Sequence, residues 1–151
     1  MRQLSVLIMI ALILVPLVLS AQKTTDADRI LGVWFNGEKT SKIEVFKTTS
    51  GNYAGRILWL KEPNDEAGKP KTDIKNPDVK LRDRETMGLV VLTGLNSKGK
   101  AKYDGGTIYD PKSGNTYSCK AELSDDNTLK LRGFMGVSLL GRTDTWTRTT
   151  K

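Results

Sequence analysis

Turn signals arrive about every ten residues through most of this chain, a spacing that leaves room for strands but not for helices of ordinary length. The clearest are Asn36-Gly37, Ser50-Gly51-Asn52, Asn96-Ser97-Lys98-Gly99, Asp110-Pro111-Lys112-Ser113-Gly114 and Ser124-Asp125-Asp126-Asn127. Between them apolar and polar residues alternate. Ile43 and Val45 are set against Lys42 and Glu44; Tyr117, Cys119, Ala121 and Leu123 are set against Ser118, Lys120 and Glu122. A period of two puts one set on each face of a strand. This reading predicts strands over 32–35, 41–47, 53–61, 87–95, 101–110, 116–123, 128–134 and 142–149. Hairpin-length connections make the order antiparallel and up-and-down, and closure of first strand on last hides both edges. The predicted fold is all-β: a single antiparallel up-and-down barrel of about eight strands.

Three stretches interrupt the pattern. Residues 62–84 are polar, carry Pro63, Gly68, Pro70 and Pro77, and are long for a connection without structure of its own. A short helical turn is expected within 78–83. Gly105-Gly106 breaks the fifth strand and predicts a bulge or sharp bend. Gly136 to Gly141 forms an apolar, glycine-bounded connection before the last strand.

The start of the chain is of another kind. Arg2 precedes an uninterrupted apolar run from Val6 to Val15, followed by Pro16 and then small residues at Ser20 and Ala21. That is the order of a secretory signal peptide. The apolar stretch 4–19 is shorter than the about 20 residues a spanning helix needs. Residues 1–21 are therefore read as a signal peptide, cut after Ser20 or Ala21, and residues 26–151 as one domain. No cysteine at the cut provides a lipid anchor. The expectation is an exported protein, periplasmic or extracellular, with no stable membrane span after cleavage.

The chain has 24 Lys and Arg against 17 Asp and Glu, a net charge of +7. The cations are scattered singly, which suits solubility and does not make a nucleic-acid stripe. There is no histidine and one cysteine. Ser-His and Cys-His pairs, histidine metal sites and an internal disulfide are thereby excluded. Cys119 falls on the apolar face of its strand and reads as a buried structural thiol. Asp104 and Asp110 could be paired as catalytic carboxylates, but both flank turns, where aspartate serves local hydrogen bonds. Asp125-Asp126-Asn127 lacks the ligand spacing of a calcium loop. No helix follows Gly105-Gly106 to receive a phosphate. No catalytic residue, metal or cofactor is predicted.

Gly32-x-Trp34 near one end and Arg148 near the other fit a barrel seam. A guanidinium can stack on an indole there and bond the nearby carbonyls. Gly32, Trp34 and Arg148 are expected to close the barrel; an ordinary core tryptophan is the alternative. The last strand, Arg142-Thr143-Asp144-Thr145-Trp146-Thr147-Arg148, alternates threonine with larger groups. With the threonines outward, Arg142, Asp144 and Trp146 face in, and an Arg–Asp pair is expected because a buried charge needs a partner; with the faces reversed, Trp146 is a surface aromatic and the charges are solvated.

These ends, together with Asp73-x-x-Asn76-Pro77, Gly105-Gly106-x-x-Tyr109-Asp110-Pro111 and Trp146-x-Arg148, form a joint spacing. The mature chain resembles the bacterial exported family known as domain-of-unknown-function family 2147, and its closure residues resemble those of lipocalin and calycin barrels. Thr86 and Thr145 stand where that family often has an apolar residue and glutamine. The resemblance implies a calycin-like barrel and no established activity.

The leading expectation is a non-enzymatic envelope barrel for a small amphipathic or anionic ligand. Its interior would come from Ile57 or Leu58, Val90, Leu92, Leu131 and Trp146. Its polar contacts would come from Arg56, Arg84, Arg132, Arg142 and Asp144. The alternative is a filled barrel serving as a structural or protein-contact module through the 62–84 loop. A carboxylate hydrolase built on Asp104 and Asp110 is a third.

Overall fold

The computed structural model describes residues 25–150; the signal-peptide reading of 1–21 lies outside them. Eight antiparallel strands close into one barrel in simple chain order. They are β1 (Gly32–Phe35), β2 (Ser41–Lys47), β3 (Tyr53–Leu60), β4 (Val90–Gly99), β5 (Lys102–Asp110), β6 (Asn115–Asp125), β7 (Thr128–Phe134) and β8 (Arg142–Thr149). Closure is β1 on β8, with Trp34 directly opposite Arg148. The all-β, up-and-down expectation is met, and β1, β2, β7 and β8 fall where the alternation put them.

The largest boundary difference is β4. Pairing with β5 continues through Asn96, Ser97 and Gly99, which read as a turn in the sequence. The reversal comes at Lys100-Ala101, both left-handed at φ 52° and 57°. Two consecutive positive φ values give the twist that matches a tight hairpin. No glycine marks that pair, so sequence alone placed the turn too early.

Bulges set which side chains enter the barrel. Register slips between β3 and β4 around Gly55 and Arg56. On β4, Val91, Leu92 and Leu95 are buried, as is Leu89 just before it. A bulge there switches the inward parity, which leaves Val90 outward and 44% exposed, contrary to expectation. On β3, Ile57 takes the interior. On β5, register shifts between Tyr103 and Gly106, as the glycine pair suggested.

At one end the segment before β1 bonds to Lys47 on β2, Tyr53 on β3, Ala101 in the β4–β5 turn and Asp126 in the β6–β7 turn. The 3₁₀ turn Asp26–Ile30 lies across that end of the barrel. The opposite end gathers the β1–β2 turn, the long β3–β4 connection, the β5–β6 turn and the β7–β8 connection.

Candidate functional site

The two ends are built differently. At the first, Trp34 is fully buried and donates from Nε1 to the Ile30 carbonyl at 2.9 Å. The Arg148 guanidinium stacks on its ring at 4.1 Å from the centroid. The same guanidinium donates to the carbonyls of Leu31 (2.7 Å), Arg29 (2.6 Å) and Asp126. Gly32 is required beside it: its φ is +129°, and a Cβ would stand 2.7 Å from Arg148 Nη1. Tyr53 and Tyr103 meet edge to face at 5.5 Å. Their hydroxyls donate to Asp28 Oδ1 and the Ala27 carbonyl, so both reach the 3₁₀ turn. Lys47 pairs with Asp28 at 2.8 Å, and Arg29 with Asp26 and Asp126. Hydrogen bonds from Lys47, Tyr53 and Thr25 hold the Asp28 carboxyl down at about 2. Leu92, Leu95, Leu129 and Val45 fill the space above. These side chains belong to one packed core.

The other end is open. A cleft of about 1020 Å³ enters there. Its apolar wall is Ile43, Ile57, Val91, Ile108 and Trp146. Its rim carries Lys61, Lys71, Lys75 and Lys112 with Glu38, Glu62, Asp65, Asp110 and Asp144. Lys112 is paired with Glu38 at 3.2 Å and Lys71 with Glu62 at 3.5 Å. Lys61 and Lys75 form no ion pair among the described residues. A second cleft, about 860 Å³, runs from Ile108 and Trp146 past Tyr117, Leu131 and Phe134 to Met135, Leu140 and Arg142. Trp146 and Ile108 border both.

The long connection is not the loose segment its composition suggested. It carries a 3₁₀ turn at Val79–Leu81, inside the span expected, and two isolated bridges, Asn64 to Pro70 and Thr72 to Glu85. Asp73 pins it down. Its side chain is fully buried and accepts from Asn76 Nδ2 (2.8 Å), Arg84 Nε and Nη2 (3.0 and 2.9 Å) and the Tyr109 hydroxyl on β5. Burial alone would raise its pKa; the bonds from Tyr109, Asn76 and Arg84 outweigh it, and the carboxyl lies below its ordinary value. The Lys75 carbonyl packs on Gly114 in the β5–β6 turn, which ties the loop to a second element. The Asp-x-x-Asn-Pro and Tyr-Asp-Pro motifs are thus two halves of one clamp at the mouth.

The arginines selected from sequence do not converge on the cleft. Arg56 neighbours inward-facing Ile57 on β3, so it must point out, where it pairs with Glu44 at 2.6 Å and lies over Phe46. Arg84 is spent on Asp73. Arg132 follows inward Leu131 and sits outside, donating to the carbonyls of Ser138 and Leu139 and to the Thr143 hydroxyl. Arg142 alone borders a cleft, the second one. The expected Arg142–Asp144 pair is replaced: Asp144 accepts from the Gly37 N–H at 3.2 Å and the Trp146 indole at 2.7 Å. Trp146 is buried and its threonine neighbours face out. Strand alternation marks Ile43 and Ile108 as inward. Lys61 and Lys75 carry no sequence signal beyond their place, one beside the long loop and the other within it.

Asp104 and Asp110 sit at opposite ends of β5, about 20 Å apart at a strand's rise per residue. Asp110 accepts from the Lys112 N–H and the Ser113 hydroxyl, as a turn aspartate does. Cys119 is buried, and burial pushes its thiol up to about 12. Among the described residues no cluster of three or more His, Cys, Asp or Glu could hold a metal, and no helix is long and apolar enough to cross a membrane.

An eight-stranded antiparallel barrel, sealed at the Trp–Arg end and open at the other, is a lipocalin-like barrel. This chain belongs to the family described as "Uncharacterized protein conserved in bacteria (DUF2147)", whose model matches residues 32–148. Among solved structures it is similar to protein HP1028 from the human pathogen Helicobacter pylori, described as belonging to the lipocalin family. The two are 27% identical, with a TM-score of 0.69 over 80% of this chain and 83% of that one. No curated protein matches the chain significantly.

Proposed function

We propose that this protein is a non-enzymatic, exported barrel that holds a small amphipathic ligand in the mouth cleft. The observation that carries the reading is the contrast within one cavity. Its wall is apolar (Ile43, Ile57, Val91, Ile108, Trp146), while two cations without ion-pair partners among the described residues, Lys61 and Lys75, stand on its rim. A hydrocarbon tail gains by leaving water against that wall, and an anionic head finds the lysines. The arginine cluster read from the sequence is replaced in this role by lysine. Export to the bacterial envelope is part of the proposal and rests on residues 1–21.

The test is titration with a fluorescent anionic amphiphile, anilinonaphthalene sulfonate, in competition with decanoate. Saturable binding is expected, displaced by decanoate and weakened about tenfold in Lys61→Glu/Lys75→Glu, one lost charge-assisted contact being worth about 1.4 kcal/mol. Failure to bind either probe would overturn the reading in favour of a barrel that works through its surface.

A further inference from the structure

The β7–β8 connection presents apolar side chains that the protein does not use for its own packing. Met135 is 69% exposed, Val137 60%, Leu139 86% and Leu140 79%. Four large apolar groups are exposed within six residues, a concentration that surfaces rarely leave without a purpose. The patch is held in this form. Arg132 donates from Nε to the Ser138 carbonyl at 2.6 Å and from Nη2 to the Leu139 carbonyl at 3.0 Å; Lys120 Nζ donates to Ser138 Oγ at 2.8 Å. With its backbone tied to the barrel's outer face, the 3₁₀ turn Ser138–Leu140 turns its leucines to solvent. Gly141 lets the neck close: a Cβ there would meet the Gly133 carbonyl and Phe134 Cβ.

Along the chain the patch is flanked by cations, and the carboxylates that line the second cleft with it, Asp110 and Asp144, are engaged by the Lys112 N–H and Ser113 hydroxyl and by the Gly37 N–H and Trp146 indole. Residues 127–143 contain Lys130, Arg132 and Arg142 and no acidic residue. Rigid apolar side chains flanked by cations match the boundary between acyl chains and anionic head groups, where leucine enters hydrocarbon and arginine stays with phosphate. We infer that the β7–β8 tip docks this barrel onto an anionic phospholipid surface. Met135, Val137, Leu139 and Leu140 enter the interface, and Arg142 lies at head-group level. Met135, Leu140 and Arg142 also border the second cleft. Docking therefore turns the mouth toward the lipid. The inference stands apart from the ligand reading, because it concerns the outside of the tip.

All eight strands, the seal and the clamp lie within residues 25–150, so a chain beginning at Gln22 contains the whole barrel. That chain is sedimented with vesicles of phosphatidylcholine, with and without phosphatidylglycerol. Binding is expected only with phosphatidylglycerol, falling as salt rises, and dropping about tenfold or more for each of Leu139→Ser and Leu140→Ser. Near-ultraviolet circular dichroism checks that the variants fold. Where one does not, Leu139→Cys carrying a nitrobenzoxadiazole dye replaces it, Cys119 being buried; a blue shift on anionic vesicles is expected. No vesicle binding, equal binding by the serine variants, or no dye shift overturns the inference. So does a concentration-dependent dimer that the serine variants abolish without any lipid binding.

Discussion

The sealed end and the open mouth of this barrel use the same residue types to opposite effect. At the seal, an arginine covers a tryptophan and satisfies three carbonyls. At the β7–β8 tip, an arginine binds two carbonyls and so leaves leucines uncovered. At the seal, tyrosine hydroxyls close the barrel onto the 3₁₀ turn. At the mouth, the Tyr109 hydroxyl holds a loop beside a cleft. The sealed end places its largest side chains in the interior and gives their polar atoms internal partners; the mouth keeps volume and charge available. One chain can do both because the two ends are separated by the length of the strands.

That division predicts a gradient of effects. The largest is expected for Trp34→Ala, which removes a fully buried aromatic and the surface Arg148 covers; about 3–5 kcal/mol should be lost in urea unfolding. Arg148→Lys keeps the charge but cannot reach three carbonyls at once, and should cost about 2 kcal/mol. If Trp34→Ala were as stable as the parent protein, the seal would not be the source of stability.

Next comes the clamp. Asp73→Asn keeps the shape but removes the charge that Arg84 and Tyr109 meet; a loss of about 1–3 kcal/mol is expected. Limited proteolysis should then cut within 62–84 before the barrel unfolds. The same carboxyl gives the sign of the acid response. Asp28 and Asp73 both have folded pKa values below the ordinary 3.8. Their stabilisation is complete above that value and disappears as pH falls through the folded pKa, for Asp28 toward about 2. Acid unfolding followed by circular dichroism should begin below pH 4 in the parent protein; Asp28→Asn, which lacks this stabilisation at every pH, should be less stable near neutrality and lose less stability between pH 4 and 2.

Cys119 sharpens the contrast from inside. With the thiol pushed up to about 12 by burial, a disulfide reagent should leave it unmodified until denaturant opens the barrel. Rapid labelling of native protein would mean the packed core breathes. The smallest effect is expected at the rim. Lys61→Glu/Lys75→Glu should change unfolding by no more than about 0.5 kcal/mol, since neither lysine holds an ion pair among the described residues. A larger loss would show that the mouth contributes to the fold as the seal does.

Much of this was readable from one-dimensional pattern. Alternation over 41–47 and 116–123, turn residues at strand-length spacing and the Gly32-x-Trp34 and Arg148 ends determine an eight-stranded up-and-down barrel and its seam. The period of a strand and the φ demanded by a turn are local properties, written in the residues themselves. What only the tertiary structure decided is where side chains of distant strands meet. Bulges near Gly55 and Val91 shift parity by one and send Val90 out. Asp73 is one more polar loop residue until Tyr109, from another strand, comes to lie against it. Arginines look alike in sequence, yet Arg148 seals, Arg84 clamps, Arg132 braces and Arg56 faces solvent. A guanidinium's role is set by the carbonyls and carboxylates within its reach, and in a barrel those come from segments far apart in the chain.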